Sequence, residues 1–124
     1  MRKWKLYWDI LSSSDVLKDR IELPYIPEHC KHNAHMFYIK ARDLDERTRL
    51  IAYLREHEVN AVFHYVPLHS AGAGLKYGRF SGEDVYTTRE SERLLRLPLH
   101  YGLSDGDIHY ICDAVIRFFR ENQL

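Results

Sequence analysis

The sequence lacks the features typical of disulfide-rich secreted proteins, nucleic-acid-binding proteins and membrane proteins. It holds only Cys30 and Cys112, without C-x-x-C spacing, so a disulfide-stapled secreted scaffold is not supported. Its 18 basic residues are matched by 18 acidic ones, which removes the main physical support for nucleic-acid binding. No apolar run approaches the roughly 20 residues of a spanning helix, and Lys5 and Asp9 interrupt any N-terminal signal stretch. We therefore expect a soluble, cytoplasmic protein without nucleic-acid or membrane partners.

What the sequence does have is the length of one domain. Its 124 residues fall within the roughly 100–200 of a typical domain, and a chain of this size buries about two-thirds of its unfolded surface. Eight histidines are the one compositional oddity. They turn the net charge positive as the pH falls through about 6.5, so we expect solubility to depend on pH near neutrality.

Hydrophobic periodicity predicts an α+β domain. The predicted elements are a helix over residues 1–14, a connector over 15–34, a strand over 35–40, a helix over 44–57, a strand over 59–66, an irregular loop over 68–84, a short helix over 87–95, a short strand over 96–99 and a helix over 104–119. We expect a sheet of about three strands with helices packed mainly on one face. Residues 35–124 would form the core of the domain.

Three residue pairs predict where helices begin, because a capping side chain and an acidic residue three positions later satisfy the first backbone N–H groups. They are Asp43 with Glu46, Thr87 with Glu90, and Ser104 with Asp107. The buried face of the helix over 44–57 is predicted to hold Leu44, Leu50, Ile51 and Leu54.

Two stretches approach known ligand motifs without completing them. HCKHNAH over residues 29–35 contains the residue types that bind zinc, but its spacing matches no closed zinc site, which takes paired Cys or His ligands from two separate places in the chain. We therefore predict a polar connector and no metal site. AGAGLK over 71–76 is similar to a phosphate loop, but Tyr77 follows Lys76 where Ser or Thr is needed. Lys76 either reaches a diphosphate as a point charge or is a solvated loop lysine.

HYVPLH over residues 64–69 holds the side chains best suited to bind a ligand. His64, Tyr65 and His69 stand where a predicted strand gives way to a loop with four glycines, and binding residues concentrate at such strand ends. Imidazoles exchange protons near neutral pH, and a tyrosine offers an aromatic face with a hydroxyl. The alternative from the residues alone is a set of packed aromatics and hydrogen-bonded histidines. No Ser-His-Asp or Cys-His arrangement follows from the spacing.

The first predicted helix presents Trp4, Tyr7, Trp8 and Leu11 on one face. Such a stripe is usually core, but at the very start of the chain it could pack on another chain. If exposed, it would be an association surface.

Three motifs together resemble a known family. HYVPLH is followed by SERLLRLPL over 91–99 and YGLSDGDIHYICDAV over 101–115. In this order they resemble the C-terminal domain of the DegT/StrS type of sugar-nucleotide aminotransferases, pyridoxal-phosphate enzymes with the aspartate-aminotransferase fold. HNAHMFYIK over 32–40 and the first helix, with Arg2, Tyr7 and Leu11, are also similar, so the resemblance covers nearly the whole chain.

The resemblance implies the small domain that closes over an active-site cleft. By motif position His64, Tyr65 and His69 would face the sugar nucleotide, and Lys76 with Tyr77 would line the nucleotide side. The parent enzyme would move an amino group, from glutamate, to C4 of dTDP-4-keto-6-deoxy-D-glucose for the sugars of enterobacterial common antigen or lipopolysaccharide.

The family's Schiff-base lysine lies in a large N-terminal domain. None of the six lysines here stands in such a context: Lys3, Lys5, Lys18, Lys31, Lys40 and Lys76. Because that lysine holds the cofactor and shuttles the proton, we expect a truncated chain with no catalytic residue, no bound pyridoxal phosphate and no activity alone. The alternatives are a non-catalytic nucleotide-sugar-binding module, or a module that self-associates through the aromatic helix or a sheet edge.

Overall fold

Helices and short antiparallel strands alternate along the chain. The structure, a computed structural model, describes residues 1–122. In chain order the elements are α1 (Arg2–Ser12), β1 (Phe37–Lys40), α2 (Leu44–Glu56), β2 (Val62–Phe63), a 3₁₀ turn (Leu68–Ser70), α3 (Gly72–Tyr77), α4 (Thr87–Arg93), β3 (Leu94–Leu97) and α5 (Asp105–Glu121). The predicted α+β class is confirmed. None of the helices within residues 1–122 has the length and apolarity needed to cross a membrane.

The three strands form one antiparallel sheet in the order β1-β3-β2. Strand β3 is central, with Phe37 opposite Leu97 and Ile39 opposite Leu95. These four side chains are buried, as expected for alternate residues that share one face of a strand pair. Arg96 stands between the two buried leucines, opposite Tyr38 on β1 and Val62 on β2. The face that carries Arg96 is therefore the one turned away from the core.

The helices bury their apolar stripes on the core face of the sheet. Helix α5 packs against both α1 and α2, and its buried residues are Ile108, Ile111, Cys112, Ala114, Val115, Phe118 and Phe119. The predicted capping box is present: Ser104 accepts a hydrogen bond from the Asp107 amide, and the Asp107 carboxylate accepts one from the Ser104 amide. Burial raises the pKa of the Cys112 thiol to about 12, so this cysteine stays a neutral core residue.

The aromatic stripe of α1 belongs to this core. Trp4 is 8% exposed and Tyr7 is fully buried. The Tyr7 hydroxyl donates to the Pro98 carbonyl at 2.7 Å, and the Trp4 indole donates to the Met36 carbonyl at 3.1 Å. The prediction of an exposed aromatic helix that mediates association is therefore wrong, because the chain's own core covers this face. Association through a sheet edge stays a prediction.

Helix α2 begins where predicted but buries fewer residues. Asp43 accepts a hydrogen bond from the Glu46 amide at 2.9 Å, and Leu50 and Leu54 are fully buried. Leu44, predicted on the buried face, is 43% exposed because it sits in the first turn, beyond the edge of the core.

The region after α2 departs furthest from the prediction. Strand β2 has two residues rather than eight, and the loop that follows contains a 3₁₀ turn and helix α3. Helix α4 ends at Arg93, so β3 starts at Leu94 rather than at Arg96. The predicted Thr87–Glu90 capping box is also wrong. Tyr86 is the N-cap residue, with no side-chain cap.

An ion cluster takes the Glu90 side chain away from the cap. The Glu90 carboxylate accepts a hydrogen bond from the Lys40 ammonium at 2.7 Å and lies 3.4 Å from Arg93. Arg93 also pairs with Glu22, whose backbone makes two hydrogen bonds of 3.0 Å with Lys40. The cluster thereby joins the connector, β1 and α4. The hydrogen bond from Lys40 is the main reason that the pKa of Glu90 falls to about 2 from an ordinary 4.5.

This shift predicts acid sensitivity. A carboxyl whose folded pKa is depressed stabilises the fold above its unfolded pKa and loses that contribution as the pH falls towards the folded value. Glu90→Gln should lower the free energy of unfolding by about 1–2 kcal/mol at pH 7, after allowance for partial exposure, and by much less at pH 2.5. Urea unfolding at the two pH values measures the difference. Glu56→Gln, an exposed change at the end of α2, is the control, and an equal loss at both pH values would contradict the prediction.

Candidate functional site

His64 and Tyr65 directly follow β2. The Tyr65 backbone has a φ of 53°, in the left-handed region that a bulky side chain rarely adopts. Such a conformation costs about 1–2 kcal/mol, so neighbouring contacts must hold it. The Tyr65 side chain nevertheless projects outward, with the residue 72% exposed. Its ring centroid lies 4.8 Å from that of His64.

Arg96 completes this group. Its guanidinium carbon lies 5.9 Å from the centroid of the Tyr65 ring, within the range of a cation–π contact. Arg96 Nε and His64 Nδ1 are both buried without a hydrogen-bond partner among the described residues. We refer to His64, Tyr65 and Arg96 as the sheet-face cluster. Sequence reasoning missed Arg96, although its place between two leucines of a short strand signalled that it would lie on the opposite face from them.

His69 lies in the 3₁₀ turn and is held by hydrogen bonds. Its Nε2 atom is 2.9 Å from Asp84 Oδ2 and 3.3 Å from the Thr88 hydroxyl. The Thr88 hydroxyl also donates to Asp84, and this bond is the main reason that the pKa of Asp84 is lowered; the nearby His69 adds to the effect. The Phe80 ring packs on the imidazole at 4.6 Å. His69 therefore tethers the loop to the start of α4.

His69 and Tyr77 share an open groove of about 590 Å³. Its other lining residues include Leu68, Arg79 and Phe80, so a mainly apolar surface has an arginine at its rim. Lys76 is not a lining residue. Its ammonium lies over the Tyr77 ring, 5.0 Å from the centroid, and is exposed.

The five predicted site residues thus fall into two groups. His64 and Tyr65 belong to the sheet-face cluster, His69 and Tyr77 to the groove, and Lys76 flanks the groove through Tyr77. Sequence reasoning also missed the loop partners Phe80 and Asp84, because neither stands in a recognisable motif with His69.

The lysines do not fit a covalent pyridoxal-phosphate site. A Schiff-base lysine must present a free amine inside a cavity. Lys40 is paired with Glu90, Lys5 with Asp9, and Lys3 donates to two backbone carbonyls. The remaining three, Lys18, Lys31 and Lys76, are exposed. The lysine amines of this chain are therefore ion-paired, bonded to backbone carbonyls or exposed to solvent.

The histidine-rich connector does not gather metal ligands. Residues 1–122 contain no group of three His, Cys, Asp or Glu side chains placed to hold a metal ion. His32 packs on the Trp4 ring at 4.4 Å instead, and Cys30 is exposed.

Comparison with known proteins identifies the class. Residues 2–116 match the DegT/DnrJ/EryC1/StrS aminotransferase family, and because the match spans nearly the whole chain, the chain belongs to this family. The family and the fold thus agree with the resemblance carried by the three motifs.

Individual relatives show how much of such a protein the chain covers. The aminotransferase TlmJ from Streptoalloteichus hindustanus superposes with a TM-score of 0.81 at 25% identity, over 98% of this chain and 31% of TlmJ. Helicobacter pylori PseC, an aminotransferase involved in pseudoaminic acid biosynthesis, gives 0.78 at 15% identity, over 97% of this chain and 32% of PseC. The uncharacterized protein MJ1066 of Methanocaldococcus jannaschii is 29% identical over 110 residues, 81% of this chain and 27% of MJ1066. The chain spans about a third of the length of these relatives.

Gly74 sets the shape of the groove. A Cβ atom on Gly74 would lie 1.6 Å from the Leu68 carbonyl oxygen, whereas one on Gly72 would meet nothing within 4 Å. Gly74→Ala should therefore separate α3 from the 3₁₀ turn and destabilise the loop by about 1–3 kcal/mol. Gly72→Ala is the matched control and should be neutral or slightly stabilising.

Hydrogen exchange at the Leu75 and Gly78 amides reports this change, because they donate to the Ala71 and Gly74 carbonyls at the two ends of α3. Exchange should become faster in Gly74→Ala alone. Equal exchange in the two variants would show that the close approach does not hold the groove in place.

Proposed function

We propose that this chain is the small C-terminal domain of a pyridoxal-phosphate-dependent sugar-nucleotide aminotransferase. The observation that carries the proposal is the family match over residues 2–116 in a chain that covers about a third of its relatives. In this role the domain closes over a cofactor-bearing cleft of the larger protein. The exposed Tyr65 and the half-buried His64 beside it would then contact the ligand in that cleft.

The substrate that we propose is dTDP-4-keto-6-deoxy-D-glucose. The parent enzyme would be the transaminase that uses glutamate to form dTDP-4-amino-4,6-dideoxygalactose and 2-oxoglutarate, for enterobacterial common antigen or lipopolysaccharide sugars. The choice of substrate rests on a resemblance that we see to that enzyme in the stretch over residues 68–99, with its HSAGAG and SERLLRLPL segments.

The two groups of site residues would contact different parts of this substrate. His64 and Tyr65 offer an imidazole and a phenol that hydrogen-bond sugar hydroxyls. The groove of His69 and Tyr77 offers an aromatic wall of the kind on which a nucleobase stacks, and Lys76 at its margin offers a positive charge to a diphosphate. The chain thus supplies contacts to the substrate and no nucleophile.

The chain alone should not form the cofactor's lysine adduct. Because each lysine is ion-paired, bonded to backbone carbonyls or exposed, pyridoxal phosphate should react only as it does with free surface amines. Borohydride reduction followed by peptide mapping should find partial labelling spread over several lysines. Stoichiometric labelling of one lysine would contradict the proposal that this chain lacks the Schiff-base residue.

Domain replacement tests the proposed substrate. This chain should restore activity when it replaces the small domain of a complete dTDP-4-keto-6-deoxyglucose transaminase, measured as 2-oxoglutarate release from glutamate. His64→Ala in the chimera should raise KM for the nucleotide sugar or lower kcat/KM by about tenfold or more, the cost of one lost hydrogen bond to substrate. His109→Ala, an exposed change on α5, is the control.

The absorbance of bound cofactor would show that the chimera is folded and loaded. A loaded chimera that aminates a different keto sugar, but not this one, would overturn the proposed substrate while leaving the family role intact.

A further inference from the structure

We infer that Arg96 is an oxyanion-binding residue, which with His64 forms an anion site on the sheet face turned away from the core. The site is defined by the sheet-face cluster, none of whose residues lines the groove of His69. The chemistry of a guanidinium and an imidazole N–H donor selects a phosphate or a carboxylate.

The first argument is the unpaired charge of Arg96. Its side chain makes neither a salt bridge nor a hydrogen bond within residues 1–122, although its Nε atom is buried. Arg93 on the same strand-and-helix segment shows the usual arrangement, with carboxylates of Glu22 and Glu90 around it. Arg96 is half-buried, and its Nε–H donor has lost its hydrogen bond to water without gaining one from the chain. An anionic ligand would supply the hydrogen-bond acceptor that the Arg96 side chain lacks.

The second argument is the coincidence of two unpaired groups at one aromatic ring. His64 Nδ1 is also buried without a partner, and both His64 and Arg96 lie against Tyr65, at 4.8 and 5.9 Å. Buried polar atoms are normally satisfied, so two orphans in one cluster point to a shared partner. The Tyr65 ring limits the motion of the guanidinium and presents its donors in a defined plane.

The third argument is the rigidity of the support. Arg96 is on the central strand, hydrogen-bonded on both sides, with fully or nearly fully buried leucines before and after it. A binding group on a strand is positioned more precisely than one on a loop. The observed φ of Tyr65 fits the same interpretation, since strained conformations concentrate at binding sites.

Two sources could supply the oxyanion if the proposed function holds. One is the diphosphate of the nucleotide sugar, which would then bind at Arg96 rather than beside Lys76, and the other is a carboxylate of the amino donor. The inference itself requires only that an oxyanion binds at Arg96, and the experiment separates the sources by using one probe for each.

The test is an NMR titration of the intact chain with inorganic pyrophosphate and, separately, with L-glutamate. The Arg96 Nε–Hε resonance should shift and saturate with one of the two probes, at a lower concentration than the same resonance of Arg55, an exposed arginine on α2. Arg96→Gln should weaken binding of that probe by at least about tenfold. Arg55→Gln should leave it unchanged, and Arg96→Lys, which keeps the charge but loses the planar fork, should fall between.

Pyrophosphate saturation assigns the site to phosphate, and glutamate saturation assigns it to carboxylate. Linear, unsaturated shifts of Arg96 equal to those of Arg55 with both probes would overturn the inference.

The unfolding midpoint of an Arg96 variant distinguishes a ligand-binding arginine from one that stabilises the fold. Arg96→Met removes the buried Nε–H donor that has no partner and should raise the unfolding midpoint by about 3 °C without ligand, while abolishing stabilisation by the bound probe. A fall in the midpoint would show instead that Arg96 holds the fold together.

The inference and the proposed function can fail independently. An active chimera, together with unsaturated Arg96 shifts for both probes in the intact chain, would refute the inference alone. Saturable binding at Arg96, with an inactive but cofactor-loaded chimera, would refute the proposed substrate alone.

Discussion

The pairing of β3 with a strand on each side is the constraint on which the rest of the structure depends. It brings β1, from before α2, and β2, from after it, into one sheet, and it divides the β3 side chains between two environments. Leu95 and Leu97 join the core formed by α1, α2 and α5, whereas Arg96 faces the other way. The same backbone hydrogen bonds therefore position both the hydrophobic core and the site.

Local patterns predicted those parts of the fold that local interactions decide. The Ser104–Asp107 box and the apolar stripe of α5 were predictable because the capping bonds and the 3.6-residue period lie within one segment. The strand over 59–66 was overpredicted because β-branched and aromatic residues favour strands, while Tyr65 adopts a left-handed conformation that no propensity indicates. The Thr87–Glu90 box failed because Lys40, 50 residues away, takes the Glu90 carboxylate.

The candidate site also combines features that local sequence predicts with features that depend on distant contacts. His64, Tyr65 and His69 could be selected from the sequence, because their residue types and the loop after them are local features. Their separation into two groups could not, since it depends on the fold of residues 68–88 around His69 and on the register that brings Arg96 beside Tyr65. The family resemblance identified the class of protein, and the structure showed that Arg96, within the SERLLRLPL stretch, lies beside Tyr65.

The alternation of β3 also protects the fold against its nearest competitor. A shift of β3 by one residue would turn every side chain of the strand to the opposite face. The Arg96 guanidinium would then enter the space between α1, α2 and α5, and two leucines would be exposed to water. The misregistered sheet is thus penalised twice, and a residue that we assign to ligand binding also helps to make the folded state unique.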